Sequence, residues 1–301
     1  MKFDAILQLI AEERTTMIRK TFTILCLIMG LQKANAQLME PYVHQGEIGF
    51  SAGFGHYFGD LNPNSAVNRP KTAAGIFFRK QITNYIGIRL SGDYTELGYS
   101  DVYSTNPVQI ARNLSFNTNV WEISLAGDFN FFEFHPGFEG YRFTPYLGLG
   151  VGVFSFDPYA YLSGEKYLLR TLGTEGQGSS LYPELQPYNP IAISIPFTIG
   201  AKYALNARTN VFAELTYRFT NTDYLDDVSG LYTPDAFPTL PDGSPSPAFL
   251  LQDRSYETGS SIGVKGKQRG NSLQKDSFAT FKIGISFNLQ SYVCPTPTSY
   301  R

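Results

Sequence analysis

The segment Trp121-Glu122-Ile123-Ser124-Leu125-Ala126-Gly127-Asp128-Phe129-Asn130-Phe131 alternates with a two-residue period. Trp121, Ile123, Leu125, Phe129 and Phe131 share one face of an extended strand; Glu122, Ser124, Asp128 and Asn130 share the other. Such a strand divides an apolar medium from a polar one. Repeated around a closed sheet, it describes a barrel with lipid outside and a polar lumen, since only a closed sheet leaves no unpaired backbone facing hydrocarbon.

The rhythm recurs along the chain. It predicts strands over Glu47–Phe58, Thr72–Gln81, Tyr85–Leu97, Val120–Phe132, Thr144–Phe156, Ile193–Ala204, Asn210–Thr220 and Phe278–Leu289. Their connections alternate in length. Those near 82–84, 133–143 and 205–209 are short, whereas 59–71, 98–119, 157–192 and 221–277 are long. Short turns at one end and long loops at the other are the outer-membrane arrangement. The expected fold is therefore all-β, an eight-stranded antiparallel up-and-down transmembrane barrel. A tenth-strand variant would hide an extra hairpin in 221–277. Pro196 is expected at a rim or bulge, where a missing donor is tolerated.

A soluble barrel would turn the same apolar face inward. The second face argues against it, being dominated by Gly, Ser, Thr and Asn where a water-facing sheet would show more Lys and Glu. Phe58, Tyr85, Trp121 and Phe132 near strand ends suit membrane interfaces.

The start of the chain reads as an export signal over 1–36: Arg19-Lys20, an apolar run from Thr21 to Leu31, then Ala34-Asn35-Ala36 before Gln37. The polar stretch before Met17 is unlike such a signal, so Met17 is the expected start and 1–16 an extension. Leu25 before Cys26 disfavours a lipoprotein cysteine. Residues 37–46 form a periplasmic segment, 47–290 the barrel and 291–301 a tail. Without its first 36 residues the chain keeps 19 Lys+Arg and 23 Asp+Glu, so no field for nucleic acid arises. Cys294 then stands alone, which excludes an internal disulfide.

The inward face is expected to carry Glu47, Arg89, Asp93, Glu122, Asp128, Lys202, Glu214, Arg218 and Lys282. An eight-stranded barrel is just wide enough to be filled by side chains, so these charges should pair across it. Arg89, Glu122, Glu214 and Arg218 are expected at the centre of a plugged lumen; a selective channel is the alternative. His44, His56 and His135 are too scattered for a metal site, and no nucleophile–base pair appears. No catalytic residue, metal or cofactor is expected. A calcium loop of Asp223, Asp226 and Asp227 is the minor alternative to a self-capped surface loop.

Several strings exceed generic barrel periodicity: His56-Tyr57-Phe58-Gly59-Asp60-Leu61-Asn62, Phe154 to Pro158, Gly173-Thr174-Glu175-Gly176-Gln177-Gly178, Thr222-Asp223-Tyr224-Leu225-Asp226-Asp227-Val228-Ser229, Gly266 to Gly270, and Cys294-Pro295. In that order they resemble the PorG family, outer-membrane barrels of the type IX secretion system of Bacteroidetes-type bacteria. The resemblance implies a non-enzymatic part of a secretion and gliding apparatus that anchors a periplasmic ring lipoprotein and its partner subunit. It marks Gly59 to Asn62, Gly173 to Gly178 and Asp223 to Ser229 as signature positions. Pro234–Pro247 departs from the pattern as a flexible loop excursion. A small channel, a surface adhesin and a soluble ligand-binding barrel are the alternatives. Periplasmic partners would meet the short turns and chain ends, with Phe138 and Tyr141 as candidate contacts beside Gln37–Gln45 and Ser291–Arg301.

Overall fold

The computed structural model describes residues 46–289; the export signal, His44, Gln37–Gln45 and the tail with Cys294 lie outside them. Ten strands run in chain order: β1 (Gly46–Phe58), β2 (Lys71–Gln81), β3 (Ile86–Ser100), β4 (Ser115–Asn130), β5 (Phe143–Ser155), β6 (Tyr159–Leu162), β7 (Glu165–Leu168), β8 (Ile191–Ala204), β9 (Thr209–Thr220) and β10 (Ser277–Leu289). Eight of them, all but β6 and β7, form an antiparallel meander that closes where Gly46 pairs with Leu289. Both ends of the described chain therefore lie at the short-turn end. The extra hairpin β6–β7 falls in the 157–190 connection, outside the wall. It meets β4 at one rung, Asn117 with Tyr159, and turns through Ser163-Gly164, both at positive φ as a tight hairpin requires.

On the membrane-spanning part of the wall, large apolar side chains point outward: Trp121 is 63% exposed, Ile123 69% and Val151 61%. Burial alternates strictly through β4. From Trp121 to Phe131 the strand covers about 25 Å along the barrel axis, given ~3.3 Å per residue and a tilt near 40°, the height of an outer-membrane apolar band.

Two expected boundaries move. β3 runs on to Ser100 and β4 begins at Ser115, with rungs from Glu96–Asn119 to Ser100–Ser115. There the face polarity reverses. Glu96, Asn117 and Asn119 point outward, while Leu97, Tyr99, Phe116 and Val120 are buried inside. The wall stands above the lipid with a water-soluble barrel's pattern, so the apolar-out signal stops while the hydrogen-bonded ladder continues. The apolar core sits at this level, where Tyr57, Leu97, Phe116, Val120, Phe154 and Phe278 pack under loop residues Leu61, Leu225, Val228 and Leu251.

Pro196 is a second correction. It lies inside β8 and pairs with Arg218 of β9. Its missing donor is absorbed by a gap in the β5–β8 ladder, which omits Gly150 and Val151 opposite Ile195 and Pro196.

Leu125 lies mid-band, between Leu90 and Val151. Leu125→Arg should cost about 2–4 kcal/mol in urea unfolding from bilayers, and Phe132→Arg at the band edge only about 0–1 kcal/mol. Equal costs would mean that Leu125 does not face hydrocarbon.

Candidate functional site

Ten ionisable side chains enter the lumen, and none is more than 7% exposed. All nine expected residues are among them. The tenth is Arg79, which makes the set five acids and five bases. Near the short-turn end Arg79 bridges Glu47 at 3.2 Å and Asp128 at 2.6 Å. Arg89 reaches Asp128 at 3.4 Å and Glu214 at 2.6 Å. Glu214 also accepts the Tyr146 hydroxyl at 2.9 Å and faces Lys282 at 3.4 Å. Lys282 pairs with Asp93. Arg218 joins Asp93 at 3.5 Å to Glu122 at 2.5 Å, and Ser194 donates to Glu122 at 2.5 Å. The ions thus form one continuous chain along the lumen. Lys202 makes no ion pair among the described residues; its ammonium lies 4.5 Å from the centre of the Phe134 ring.

Inward glycines make room for these long side chains. A methyl at Gly148 would press on Asp128 and Arg89, one at Gly152 on Ser194 and Glu122, and one at Gly200 on the Tyr146 ring. The lumen is packed to the point where a single carbon collides, as dense interiors are.

The long loops gather into a cap on the barrel mouth, and the signature strings are its framework. Tyr57 donates to Asp226 at 2.5 Å, with Asp276 at 3.0 Å from the same hydroxyl. The single hydroxyl proton is shared between two carboxylates. Burial first, then the charge of Asp60 on Asp226 and of Asp226 on Asp276, holds both carboxyls well above the usual range. Thr174 donates to Asp227, and Tyr188 does so at 2.7 Å. Glu175 accepts the Ser229 and Gly230 amides at 2.8 and 3.0 Å and pairs with Arg269 at 3.0 Å. Asp60 takes the Asn271 amide at 2.7 Å. Arg112 grips Asp101 at 2.7 and 2.8 Å and donates to the Arg269 carbonyl at 2.8 Å. Leu61, Asn62, Tyr224 and Leu225 complete this framework: Leu61 and Leu225 in the core with Tyr224 packed on it, Asn62 donating to the Tyr57 carbonyl at 2.9 Å.

The signature glycines have packing reasons. A side chain at Gly59 would overlap Asp276 and Tyr57, and one at Gly270 would overlap Asp60. Gly173 and Gly176 adopt positive φ against Gln177 and Thr233, and Gly178 also has positive φ. Gln177 itself accepts the Glu175 amide at 2.9 Å.

Asp223, Asp226 and Asp227 do not converge: Asp223 accepts the Ser229 hydroxyl at 2.6 Å, and the other two take the donors above. Among the described residues no group of three acidic, His or Cys side chains is placed to hold a metal ion. His56 is buried and bonds the Ala66 carbonyl at 2.6 Å. Phe138 and Tyr141 lie in the short 131–142 connection, 57% and 39% exposed, edge-on to His135. In the 234–247 stretch the Leu240–Ser244 turn closes by a 2.8 Å backbone bond.

Two measurements follow. Arg218→Ala strands Glu122 in the lumen, while Asp93 keeps Lys282, and should cost about 3–5 kcal/mol in urea unfolding of the detergent-folded barrel; wild-type stability would mean that the lumen is wet. For the cap, burial raises Asp223 to about 6 and Asp227 to about 7. The folded form then binds more protons than the unfolded form, in which these groups titrate near ~4. Their contribution is full below about pH 4 and is lost as pH rises through about 6 to 7. Proteolysis of the 221–276 loop should therefore quicken from pH 5 to pH 8, and Asp227→Asn should flatten the change. A rate independent of pH, or an unaltered profile in the variant, would count against the protonated cap.

Outside the chain itself, no curated protein matches. Solved structures similar to it include the Neisserial surface protein A, at 12% identity over 81% of this chain and 97% of that one, TM-score 0.39. The N-terminal β-barrel domain of Pseudomonas aeruginosa OprF matches at 12% over 81% and 100%, TM-score 0.34. The attachment invasion locus protein Ail of Yersinia pestis matches at 8% over 81% and 97%, TM-score 0.35. At such likeness they bear on no residue of the site. The profile of the Domain of unknown function DUF6089 spans residues 19–237, from ahead of β1 to the last long loop, and the chain belongs to that family.

Proposed function

We propose that this is a sealed, non-enzymatic outer-membrane barrel whose working part is the cap, a fixed recognition surface held outside the cell. The observation that carries this reading is the convergence of four separate loops on one buried network, Asp60, Arg112, Glu175 and Arg269 among its members. Loops tied in this way present one shape, and a preformed surface binds without an ordering cost. The reading stands nearest to a surface adhesin. The ion chain in the lumen and the apolar layer above it count against a diffusion channel.

The resemblance to PorG proteins supports a second reading, support of the type IX secretion machinery. Its signature strings coincide with the cap framework. In that reading the short-turn end meets the periplasmic ring lipoprotein and its partner subunit, with Phe138 and Tyr141 as anchors.

Planar bilayers holding the purified barrel should show no stable conductance steps; large, reproducible steps would sink the sealed reading. Gene deletion separates the other two. Lost surface attachment with normal secretion supports the recognition cap. Lost secretion, with ring subunits co-purifying with wild type but not with Phe138→Ser/Tyr141→Ser, supports the type IX reading and displaces the first.

A further inference from the structure

A cleft of about 330 Å³ opens in the cap, between the short helix Pro107–Arg112 and the 262–271 segment. Its lining includes Tyr232, Arg112, Arg269, Lys267, Asp60 and Ile262. Tyr232 is 1% exposed, yet its hydroxyl has no hydrogen-bond partner among the described residues. A buried hydroxyl left unpaired is costly, and native interiors seldom tolerate one without a ligand or water.

Several acceptors around the cleft are already engaged. The Gln109 carbonyl oxygen takes the Ser104 hydroxyl at 2.6 Å, and the Asp60 carboxylate takes the Asn271 amide at 2.7 Å. The Asp60 main-chain oxygen takes Gln109 at 3.1 Å and Arg112 at 3.2 Å. Two donors are open to a further acceptor: the Tyr232 hydroxyl and the Lys267 ammonium, whose one bond among the described residues is a long 3.4 Å contact with the Ile262 carbonyl. Arg112 and Arg269 are held in ion pairs with Asp101 and Glu175, so Lys267 is the cation of the lining that has no ion pair among the described residues. The guanidiniums are spent on their own pairs, while Tyr232 and Lys267 can still reach for an acceptor. Val108 and Ile262 supply apolar walls. The volume lies at the low end of small-ligand pockets, about 300–1,000 Å³, which suits one ring and no more.

We propose that this cleft binds the anionic group, carboxylate or sulfate, of a single acidic sugar residue presented to the cap. The proposal rests on the reading of the cap as an outward recognition surface and names its ligand. The anionic group accepts from Tyr232 and Lys267, and the sugar ring lies between Val108 and Ile262.

The test uses the full barrel in nanodiscs, titrated calorimetrically with glucuronate, glucose and sodium sulfate. Glucuronate should bind and glucose should not. Tyr232→Phe and the exposed Lys267→Gln should each weaken glucuronate about tenfold or more, as loss of a charge-assisted hydrogen bond does, with heat-modifiable gel migration unchanged. Glucose binding as well as glucuronate, or both variants binding like wild type, overturns the proposal. Sulfate matching glucuronate assigns the cleft to a free anion and overturns the sugar. Labelling of Lys267→Cys on intact cells by a membrane-impermeant maleimide reads the outward cap separately. An unlabelled cysteine in a barrel that still binds glucuronate overturns the outward reading and leaves the cleft chemistry standing.

Discussion

Like charges stand directly opposite one another on neighbouring strands of this barrel. Arg79 of β2 faces Arg89 of β3, and Asp93 of β3 faces Glu122 of β4. Such rungs destabilise an open sheet. Adjacent strands supply part of the counter-charge, Glu47 for Arg79 and Asp128 for Arg89, and the rest comes from strands that are not neighbours: Glu214 of β9 for Arg89, Lys282 of β10 for Asp93, Arg218 of β9 for Glu122. The latter contacts exist only when the sheet has curled and closed. Closure and ion pairing are therefore one event, and a partly zipped barrel carries both the repulsion and the unpaired charges. The inward glycines belong to the same constraint, because chains as long as arginine reach across the lumen only where the facing wall has no side chain.

That arrangement holds within the lipid band and reverses above it. Between Val120 and Trp121 adjacent apolar residues mark the change: Trp121 faces lipid and Val120 faces the interior. Below this point the medium outside is hydrocarbon and the interior is ionic. Above it the medium is water and the interior is apolar, as in a soluble domain. The cap depends on this reversal, since Leu225, Val228 and Leu251 need an apolar seat in the mouth of the barrel. With the seat in place, the acids and arginines of the loops are drawn out of water and must satisfy each other. Hence the carboxyl pair at Tyr57, whose pKa burial holds above the usual range, and the close approaches at Gly59 and Gly270.

The periodic part of this structure was legible in the sequence. Alternation sets the strands, their count and the inward face, because a strand between two media has no other solution. Arg79 escaped for a local reason. Ile76-Phe77-Phe78 is apolar on both faces, with Phe77 turned inward against Phe212, and this hides the register that places Arg79 beside Glu47. Beyond Leu97 and before Val120 the alternation persists with its polarity exchanged, so the strands seem to end with the membrane. The cap was visible only as strings without a role. Its contacts join residues as distant as Asp60 and Asn271, and no local pattern encodes such pairs. The glycines of those strings were the nearest clue, since each marks a close approach whose partner lies elsewhere in the chain.

The two ends of the molecule differ in what they leave available. In the lumen nearly every charge has its counter-charge within hydrogen-bonding reach, and the space between is filled by Phe77, Tyr146 and Phe212. Nothing of that kind moves without breaking several bonds at once, which suits a wall and not a conduit. At the cap the balance is incomplete by design of the packing: Arg112 and Arg269 spend their guanidiniums on Asp101, Glu175 and main-chain oxygens. This holds four loops in one shape yet leaves Tyr232 without a partner. A wall whose charges are mostly paired across the lumen, and a loop assembly whose cleft keeps an unsatisfied hydroxyl, favour interaction on the loop side.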